Sequence, residues 1–340
     1  MDLAAFDFTL PDELIAQAPL ADRAASRMLV VDRARGRLED RQFRDLPEYL
    51  NAGDCLVLND SRVFPARLYG HRAGRTGEVE VLLLRPVDNA AKDWEALVHP
   101  GKKMRVGERV RFADGLEAEV IARREFGERT LRFAAEGDLY DRFEEIGHVP
   151  LPPYIKRRDA AADRERYQTV FAREKGSAAA PTAGLHFTAE VLDACRARGA
   201  EIAVVTLHVG LGTFQPIHGD RVDGHRLHSE HYRITAENAA RMAAARRLVA
   251  VGTTSVRTIE SAMRHGGGLQ ESSGETDLFI YPGFEFRATG AMLTNFHLPR
   301  TSLLLLVCAF AGQDLALGAY RHAVERGYRF YSYGDCMLIV

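Results

Sequence analysis

The pattern of apolar and polar positions in the first 62 residues predicts separate elements that do not make a complete domain. A helix is expected from about Pro11, and a strand at 28–31 (MLVV). A second strand at 55–58 (CLVL) ends in the polar run Asn59-Asp60-Ser61-Arg62. Short apolar runs bounded by polar, turn-forming residues are typical of buried strands. These strands must therefore find partners elsewhere in the chain.

From Ala66 to about Arg132 the rhythm changes to short stretches of alternating apolar and polar residues. Turn-forming pairs such as Asp114-Gly115 and Phe126-Gly127 separate stretches that include VEVLLL, WEALV, ERVRF, LEAEVIA and TLRFA. Closely spaced strands with this alternation favour a small antiparallel barrel.

The run HVPLPPYIK near Pro150 favours an extended connection, because its prolines disfavour both helix and central strand. Strands and helices alternate beyond it, which predicts an α/β layer. The predicted elements are strands at 202–207, 248–252, 279–281 and 292–296, a helix through 257–263 and a buried helix at 303–311. We expect an α/β domain formed by 1–62 and 148–340, with residues 63–147 inserted as a β-barrel domain.

Polar and glycine-rich loops follow the predicted strands of the second segment. They are PTAGLHF at 181–187, LHVGLGTF at 207–214, VGTTSVR at 251–257 and TNFHLPRTS at 294–302. Ligands of open α/β sheets bind outside the carboxyl ends of the strands, so these loops predict a site. Gly210 and Gly212 either shape a turn or allow close approach of a ligand to the backbone. Gln215 stands where a dinucleotide fingerprint needs glycine, which makes a nicotinamide cofactor improbable.

Composition excludes several classes of protein. Lys plus Arg number 45 against 47 for Asp plus Glu, so bulk charge gives no nucleic-acid signature. The four cysteines are widely spaced, as in reduced cytosolic proteins. The N-terminus lacks the pattern of a signal peptide, and the apolar run at 303–311 is too short to span a bilayer. We expect a cytoplasmic monomer that has no membrane partner.

Local clusters of charge and histidine leave alternatives open. Basic residues collect at 102–111 and at 156–173, where they form either a solvated face or a set of phosphate contacts. The candidates for phosphate contact are Lys102, Lys103, Arg105, Lys156, Arg157 and Arg158. His225, His228 and His231 recur at every third residue, a spacing that fits neither one strand face nor one helix face, and no metal site is expected.

Seven segments together resemble the S-adenosylmethionine:tRNA ribosyltransferase-isomerase family of queuosine biosynthesis. They are NDSRVFPARL (59–68), PTAGLHFT (181–188), TLHVGLGTFQPI (206–217), HSEHY (228–232), VGTTSVRTIES (251–261), TNFHLPRTSLLLLVCAFAG (294–312) and YSYGDCMLI (331–339). Ser61, Thr301-Ser302 and His231 depart from the family pattern. The departure at His231 argues against an essential role for that residue.

The resemblance implies an α/β domain with an inserted barrel and a substrate, tRNA, that carries 7-aminomethyl-7-deazaguanine at the wobble position. S-adenosylmethionine would be consumed as the ribosyl donor, with release of adenine and methionine and formation of epoxyqueuosine. The donor is therefore a co-substrate, and no cofactor is implied.

This chemistry needs groups that accept and donate protons. His186, His208, His297 and Glu230 are the candidates, without a division between acid and base. The donor's carboxylate suits either Arg257 or the N–H groups of Gly252-Thr253-Thr254. Phe214, Tyr281 and Tyr331 could face the sulfonium, and Asp60 and Arg62 could recognise the base. The remaining substrate-binding candidates are Thr182, Gly210, Gly212, Thr213, Asn295 and Arg300.

Two other functions are compatible with these residues. A methyltransferase would also bind S-adenosylmethionine but would release S-adenosylhomocysteine. A noncatalytic RNA-binding module would hold tRNA without consuming a donor. The density of histidine and glycine at strand ends argues against the second.

Overall fold

The computed structural model describes residues 1–87, 92–124, 127–210, 217, 219–225, 227–265 and 267–340. The first segment contributes four strands: β1 (Arg27–Asp32), β2 (Arg37–Gln42), β3 (Asp54–Asn59) and β4 (Ser61–Val63). The prediction of a helix from about Pro11 is wrong. Only a short 3-10 turn, Asp12–Leu14, forms there, because Ile15 bridges to Phe330 and the Ala16 N–H donates to the Phe330 carbonyl.

The inserted region forms a closed barrel with strand order β10-β7-β6-β5-β8-β9, and all its pairs are antiparallel, as expected. Its elements are β5 (Arg67–Arg72), β6 (Glu78–Pro86), β7 (Asp93–His99), β8 (Arg109–Arg111), β9 (Glu117–Arg123), β10 (Arg129–Ala134) and the following helix α1 (Leu139–Ile146). Trp94 and Phe143 are fully buried in the barrel's own apolar core. The chain enters and leaves the barrel at one place, since Arg67 and His148 exchange backbone hydrogen bonds of 3.2 and 2.8 Å.

The remaining segment completes the large domain. Its elements are α2 (Asp163–Arg166), β11 (Glu174–Ser177), α3 (Ala189–Ala197), β12 (Glu201–Leu207), β13 (Glu230–Ile234), α4 (Ala236–Ala244), β14 (Arg247–Val251), α5 (Thr253–His265), β15 (Ser272–Thr276), β16 (Thr289–Asn295), α6 (Ser302–Ala311), α7 (Gln313–Glu325) and β17 (Cys336–Ile339). The prediction of a strand at 279–281 is wrong, because the strand of this region, β15, ends at Thr276. Just before 279–281, side chains and not a neighbouring strand bond the backbone of Leu278. Arg257 Nε donates to the Leu278 carbonyl, and the Leu278 N–H donates to Thr276 Oγ1.

Nine strands form a mixed sheet in the order β15-β13-β12-β3-β14-β16-β17-β1-β2. β12, β3, β14 and β16 are parallel neighbours, so their carboxyl ends meet at one edge. Every residue of β3 is buried, as expected for a central parallel strand covered on both faces. This confirms the α/β fold with its inserted antiparallel barrel, while the boundaries at 62/63 and 147/148 stay a prediction.

Helix α6 is almost wholly buried in the sheet's core, as its apolar run predicts. Within the described ranges, no single helix has the length and apolarity needed to cross a membrane. The pair α6 and α7 meets those two criteria only when counted together, and it is bent by 117°.

Candidate functional site

A cavity of about 390 Å³ lies where the barrel meets the carboxyl edge of the sheet. The barrel side and the sheet side both contribute charged and polar groups. Its described lining is Leu84, Arg85, Pro86, Glu95, Leu97, Glu128, Tyr140, Lys175, Gly176, His208, Gly210, His228, Ser229, Glu230, His231 and Glu275. This volume lies within the roughly 300–1,000 Å³ range of small-molecule sites, so the cavity can admit one nucleobase-sized group.

His208 follows β12 directly and lines this cavity. Its ring packs on the backbone of Gly176, where an added Cβ would lie 3.1 Å from His208 Cε1. Gly176 also has φ +133°, so the close approach and the backbone conformation both favour glycine. Within the described residues, His208 Nδ1 is buried without a hydrogen-bond partner. Burial, and to a lesser extent nearby His231, lowers the pKa of His208.

Glu230 begins β13 and joins the glycine loop to helix α5. One carboxylate oxygen accepts the Gly210 N–H at 2.8 Å, and the other pairs with Arg257. Arg257 is only 2 % exposed and also donates to the carbonyls of Leu278 and Thr276. Arg257 is therefore fully engaged in a buried network, and Glu230 holds the backbone of Gly210 in place.

One ion pair and one histidine–carboxylate contact cross the junction between barrel and sheet at the cavity. Arg85 of β6 reaches Glu275 of β15 at 3.1 Å and also pairs with Glu95 at 2.7 Å. His228 Nδ1 lies 3.3 Å from Glu128 Oε1. Burial raises the pKa of the Glu128 carboxyl. A desolvated carboxylate of this kind is stabilised by a cation, so the cavity is suited to positively charged ligands.

A second, smaller crevice lies at the ends of β14 and β16. Its described lining is Ala180, Pro181, Thr182, Ala183, Val209, Gly252, Thr253, Thr254, Thr294, Asn295, His297 and Leu303. His297 Nε2 lies 2.8 Å from Thr294 Oγ1, and the His297 N–H donates to Tyr320 Oη. Burial lowers the pKa of His297 to about 3, so this imidazole is neutral. Val209 lines the crevice, whereas its neighbours His208 and Gly210 line the larger cavity.

His186 lies in neither space. Its Nδ1 is 2.9 Å from Ser26 Oγ, and its Nε2 accepts from Asn295 Nδ2 at 3.3 Å. It contributes to a third, very small cavity lined also by Arg23 and Tyr333. Burial lowers its pKa to about 3, with a smaller effect of Arg23. The structure therefore separates the three candidate histidines into three environments.

The two residues expected to recognise the base have different surroundings. Asp60 is 4 % exposed and accepts a 2.7 Å hydrogen bond from Thr206 Oγ1, and burial raises the pKa of its carboxyl. Arg62 is exposed, on the short strand β4 that pairs with β11. Only Arg62 presents its charge to solvent.

Three further candidates are not among the described lining residues of either space. Tyr281 packs against the sheet's apolar core, and Arg300 lies 4.0 Å from exposed Asp220. Tyr331 is 7 % exposed, and its ring centroid is 3.7 Å from that of Tyr154. The candidates outside the described residues are Gly212, Thr213 and Phe214.

The two basic clusters also differ. Lys102, Lys103 and Arg105 are exposed on the turn that follows β7. In the second cluster the cations have partners: Lys156 is 3.2 Å from Asp12, Arg157 is 2.6 Å from buried Asp163, and Arg158 is 3.5 Å from Glu78. The first cluster is the one with side chains available for phosphate.

The repeating histidines separate in space. His225 packs against Phe279, His228 pairs with Glu128 as described above, and His231 Nε2 is 3.2 Å from Ser273 Oγ. Among the residues that the structure describes, no group of three His, Cys, Asp or Glu side chains is arranged to hold a metal ion.

Sequence reasoning missed the barrel's contribution to the cavity. Arg85, Glu95 and Glu128 lie in or beside barrel strands, and Lys175 lies in β11. The one available signal was a charged residue inside otherwise apolar strands, as in the stretch WEALV. That signal does not specify which surface the residue faces.

Comparison with known proteins agrees with this architecture. The family model described as "Queuosine biosynthesis protein" matches residues 3–339. The chain is similar to proteins named S-adenosylmethionine:tRNA ribosyltransferase-isomerase from Solibacter usitatus (strain Ellin6076) and Symbiobacterium thermophilum, at 68 % and 54 % identity, with all of each chain covered. The crystal structure of S-adenosylmethionine tRNA ribosyltransferase from Thermotoga maritima matches with 39 % identity and a TM-score of 0.57, covering 99 % of this chain and 100 % of that one. The chain belongs to the family of queuosine biosynthesis proteins.

Proposed function

We propose that this protein is an S-adenosylmethionine:tRNA ribosyltransferase-isomerase. It transfers the ribosyl group of S-adenosylmethionine to 7-aminomethyl-7-deazaguanine at the wobble position of tRNA and rearranges it to epoxyqueuosine. One adenine and one methionine leave for each ribosyl group transferred. The observation that carries the proposal is the polar cavity at the barrel–sheet junction, in a chain whose full length matches relatives of that name.

The charge of the cavity matches both reactants. The aminomethyl group of the base is a primary amine that is protonated in water, and the donor carries a sulfonium. The described lining holds the carboxylates Glu95, Glu128, Glu230 and Glu275. Arg85 and Arg257 already engage Glu95, Glu275 and Glu230, as described above. Among the described residues, Glu128 pairs with the imidazole of His228 and not with a guanidinium, so it offers the carboxylate best placed to attract a substrate cation.

Of the three candidate histidines, we assign proton transfer to His208. It lines the cavity, and its Nδ1 has no partner among the described residues. A neutral imidazole there can accept the proton that the sulfonium makes acidic on the adjacent ribose carbon. His186 and His297 are hydrogen-bonded at other sites, and a pKa of about 3 makes each a weak base.

Glu230 acts as a positioning residue in this proposal. It binds the Gly210 N–H and Arg257 at once, so it fixes the loop that carries His208 toward the cavity. Because both carboxylate oxygens of Glu230 are engaged in this way, we assign proton transfer to His208 and not to Glu230.

The test is a reaction with donor labelled in the ribose carbons and tRNA that carries the deazaguanine. Label should become tRNA-bound, with equimolar adenine and methionine in solution. In His208→Gln, single-turnover transfer should fall by roughly a hundred- to ten-thousand-fold. His322→Gln, on the helix α7 near Asp40, is the matched control and should keep the wild-type rate. Release of S-adenosylhomocysteine would instead identify a methyltransferase.

A further inference from the structure

The crevice at the ends of β14 and β16 has the features of a built ligand subsite. No charged side chain is among its described lining residues. Its volume is about 30 Å³. Since one water-sized group needs roughly 10–15 Å³, the enclosed part holds about two to three such groups. A carboxylate has two oxygens of this size, whereas a phosphodiester is larger.

Two buried polar atoms of the crevice have no hydrogen-bond partner among the described residues. They are Thr254 Oγ1 and Asn295 Oδ1, on residues that are 6 % and 2 % exposed. The amide nitrogen of Asn295 donates to the Tyr331 carbonyl at 3.0 Å, which fixes the amide so that Oδ1 is the acceptor left over. Buried polar groups are nearly always paired in native proteins, so both atoms are available to a ligand in the crevice.

The backbone adds donors beside Thr254. The first intrahelical bond of α5 runs from the Val256 N–H to the Gly252 carbonyl. The N–H groups of Thr253, Thr254 and Ser255 precede that bond and have no acceptor within the helix. The first turn of α5 contains no acidic residue. In α6, by contrast, Thr301 already caps the helix by accepting the Leu304 N–H. Among the residues that the structure describes, the start of α5 is therefore open to an anionic oxygen.

These groups favour a ligand that offers an acceptor and a donor a short distance apart. The N–H groups of α5 and the Thr254 hydroxyl donate, so they suit a carboxylate. Asn295 Oδ1 only accepts, so it suits an ammonium. A ligand that carries both an ammonium and a carboxylate is neutral overall, in agreement with the absence of a charged side chain from the described lining. Arg257, the other group considered for the donor's carboxylate, is occupied by Glu230.

We infer that this crevice binds the α-amino-acid head group of the sulfonium donor, with its carboxylate on the start of α5 and its ammonium on Asn295 Oδ1. The identity of the ligand rests on the proposed function, whereas the chemical class, a zwitterionic α-amino acid, rests on the crevice itself. Val209 lines this crevice while its neighbours His208 and Gly210 line the larger cavity, so a donor bound this way can extend its sulfonium and ribose toward His208.

The test is titration calorimetry of the full chain with S-adenosylmethionine, its decarboxylated analogue and its deaminated analogue. In Thr254→Val the Kd for S-adenosylmethionine should rise about ten-fold or more, because a hydrogen bond to a charged group is lost. The Kd of the decarboxylated analogue should be the same for wild type and variant, and Thr254→Ser should restore the wild-type Kd. The deaminated analogue should bind wild-type protein about ten-fold more weakly than the intact donor does.

The matched control is Thr258→Val, one turn further along α5, whose hydroxyl bonds the Thr254 carbonyl. It should leave the Kd values of all three compounds unchanged. The inference is overturned if Thr254→Val weakens the intact and the decarboxylated compounds equally, or if inorganic phosphate displaces the donor and so indicates a tRNA phosphate subsite. Adenine release with tRNA, measured separately, judges the proposed function, so the two can fail independently.

Discussion

His186 ends a short 3-10 turn (Thr182–His186), whereas His208 and His297 lie in loops that follow strands, and the surroundings of the three set different chemistry. His186 and His297 are enclosed by hydrogen-bonded neighbours, and burial lowers the pKa of each to about 3. His208 borders a cavity and is less completely enclosed. Desolvation disfavours the charged imidazolium, so the two buried rings stay neutral well below pH 7. Their role in the fold is therefore sensitive to acid.

We predict that the buried histidines make the protein lose stability on acidification. Their folded pKa lies below the unfolded value of about 6.5. Below that pH the unfolded state binds protons that the folded state does not, so the free energy of unfolding falls as pH falls from about 6.5 toward 3. Each histidine contributes a slope of up to about 1.4 kcal/mol per pH unit. Denaturant titrations between pH 5 and 6 give the free energy of unfolding at each pH. This free energy should depend on pH less steeply in His297→Gln than in wild type, by the equivalent of about one proton.

At pH 7.5 neither the His297 imidazole nor its Gln replacement is charged. The stability of each protein at that pH therefore serves as its reference, which removes the packing cost of the substitution. Equal slopes for wild type and variant would mean that His297 takes up its proton in the folded state as readily as in the unfolded one.

Sequence reasoning selected suitable residue types but not their surroundings. Glycine and proline beside His186, His208 and His297 indicated loops, and the structure places all three near the carboxyl edge of the sheet. The difference between them could not be read from the sequence. The larger cavity exists because Glu128 and Arg85, from the barrel, meet the sheet across long sequence separations.

At the level of elements, Arg129 at the start of β10 arranges the exposed basic turn. Its guanidinium is buried and donates to the carbonyls of Gly101 and Met104 on one side, and of Gly127 and Glu128 on the other. Since Glu128 lines the cavity, these bonds hold the basic turn beside the cavity's edge. A polynucleotide that inserts one base into the cavity would pass this turn.

We predict that reversing the turn's charges with Lys102→Glu, Lys103→Glu and Arg105→Glu together weakens tRNA binding. The slope of log Kd against log salt should shrink by up to about three phosphate contacts, because each contact releases counterions. Filter binding at several salt concentrations measures this slope. The matched control is the single charge reversal Lys156→Glu, at a residue whose amine pairs with Asp12. It should change the salt slope by less than the equivalent of one phosphate contact. An unchanged slope in the triple variant would assign the turn to solvent.

The elements that sequence reasoning predicted correctly are those whose backbone bonds lie within regular pairs. The alternating barrel strands and the apolar α6 are of this kind. The two wrong elements, near Pro11 and at 279–281, lie beside backbone groups that bond to distant or irregular partners: Ile15 and Ala16 contact Phe330, and the Leu278 carbonyl accepts from Arg257. Local patterns carry no signal for such partners.

On the scale of the whole molecule, the barrel and the sheet have separate apolar cores. The barrel's core contains Trp94, the only tryptophan in the chain, and Leu83. The sheet's core includes Leu338 of β17 in a separate cluster. Because Trp94 is fully buried in the barrel, its fluorescence reports the unfolding of the barrel alone.

We predict that matched truncations in the two cores separate their transitions. Leu83→Ala and Leu338→Ala each remove a fully buried leucine side chain, at a cost of roughly 2–5 kcal/mol. Leu83→Ala should lower the denaturant midpoint measured by Trp94 fluorescence. Leu338→Ala should lower mainly the midpoint measured by far-UV circular dichroism. Equal shifts of both signals in both variants would show one cooperative unit.

The position of β17 in the sheet determines the order in which the molecule can be assembled during synthesis. β17 lies between β16 and β1, and Met28 pairs with Cys336 across 308 positions of sequence. The barrel's pairs, by contrast, lie within residues 67–134 and can form while later codons are still being read. Until β17 emerges from the ribosome, β1 and β16 each expose an unpaired strand edge. The nascent chain is thus a finished barrel on an open sheet, and in that interval it depends most on chaperones.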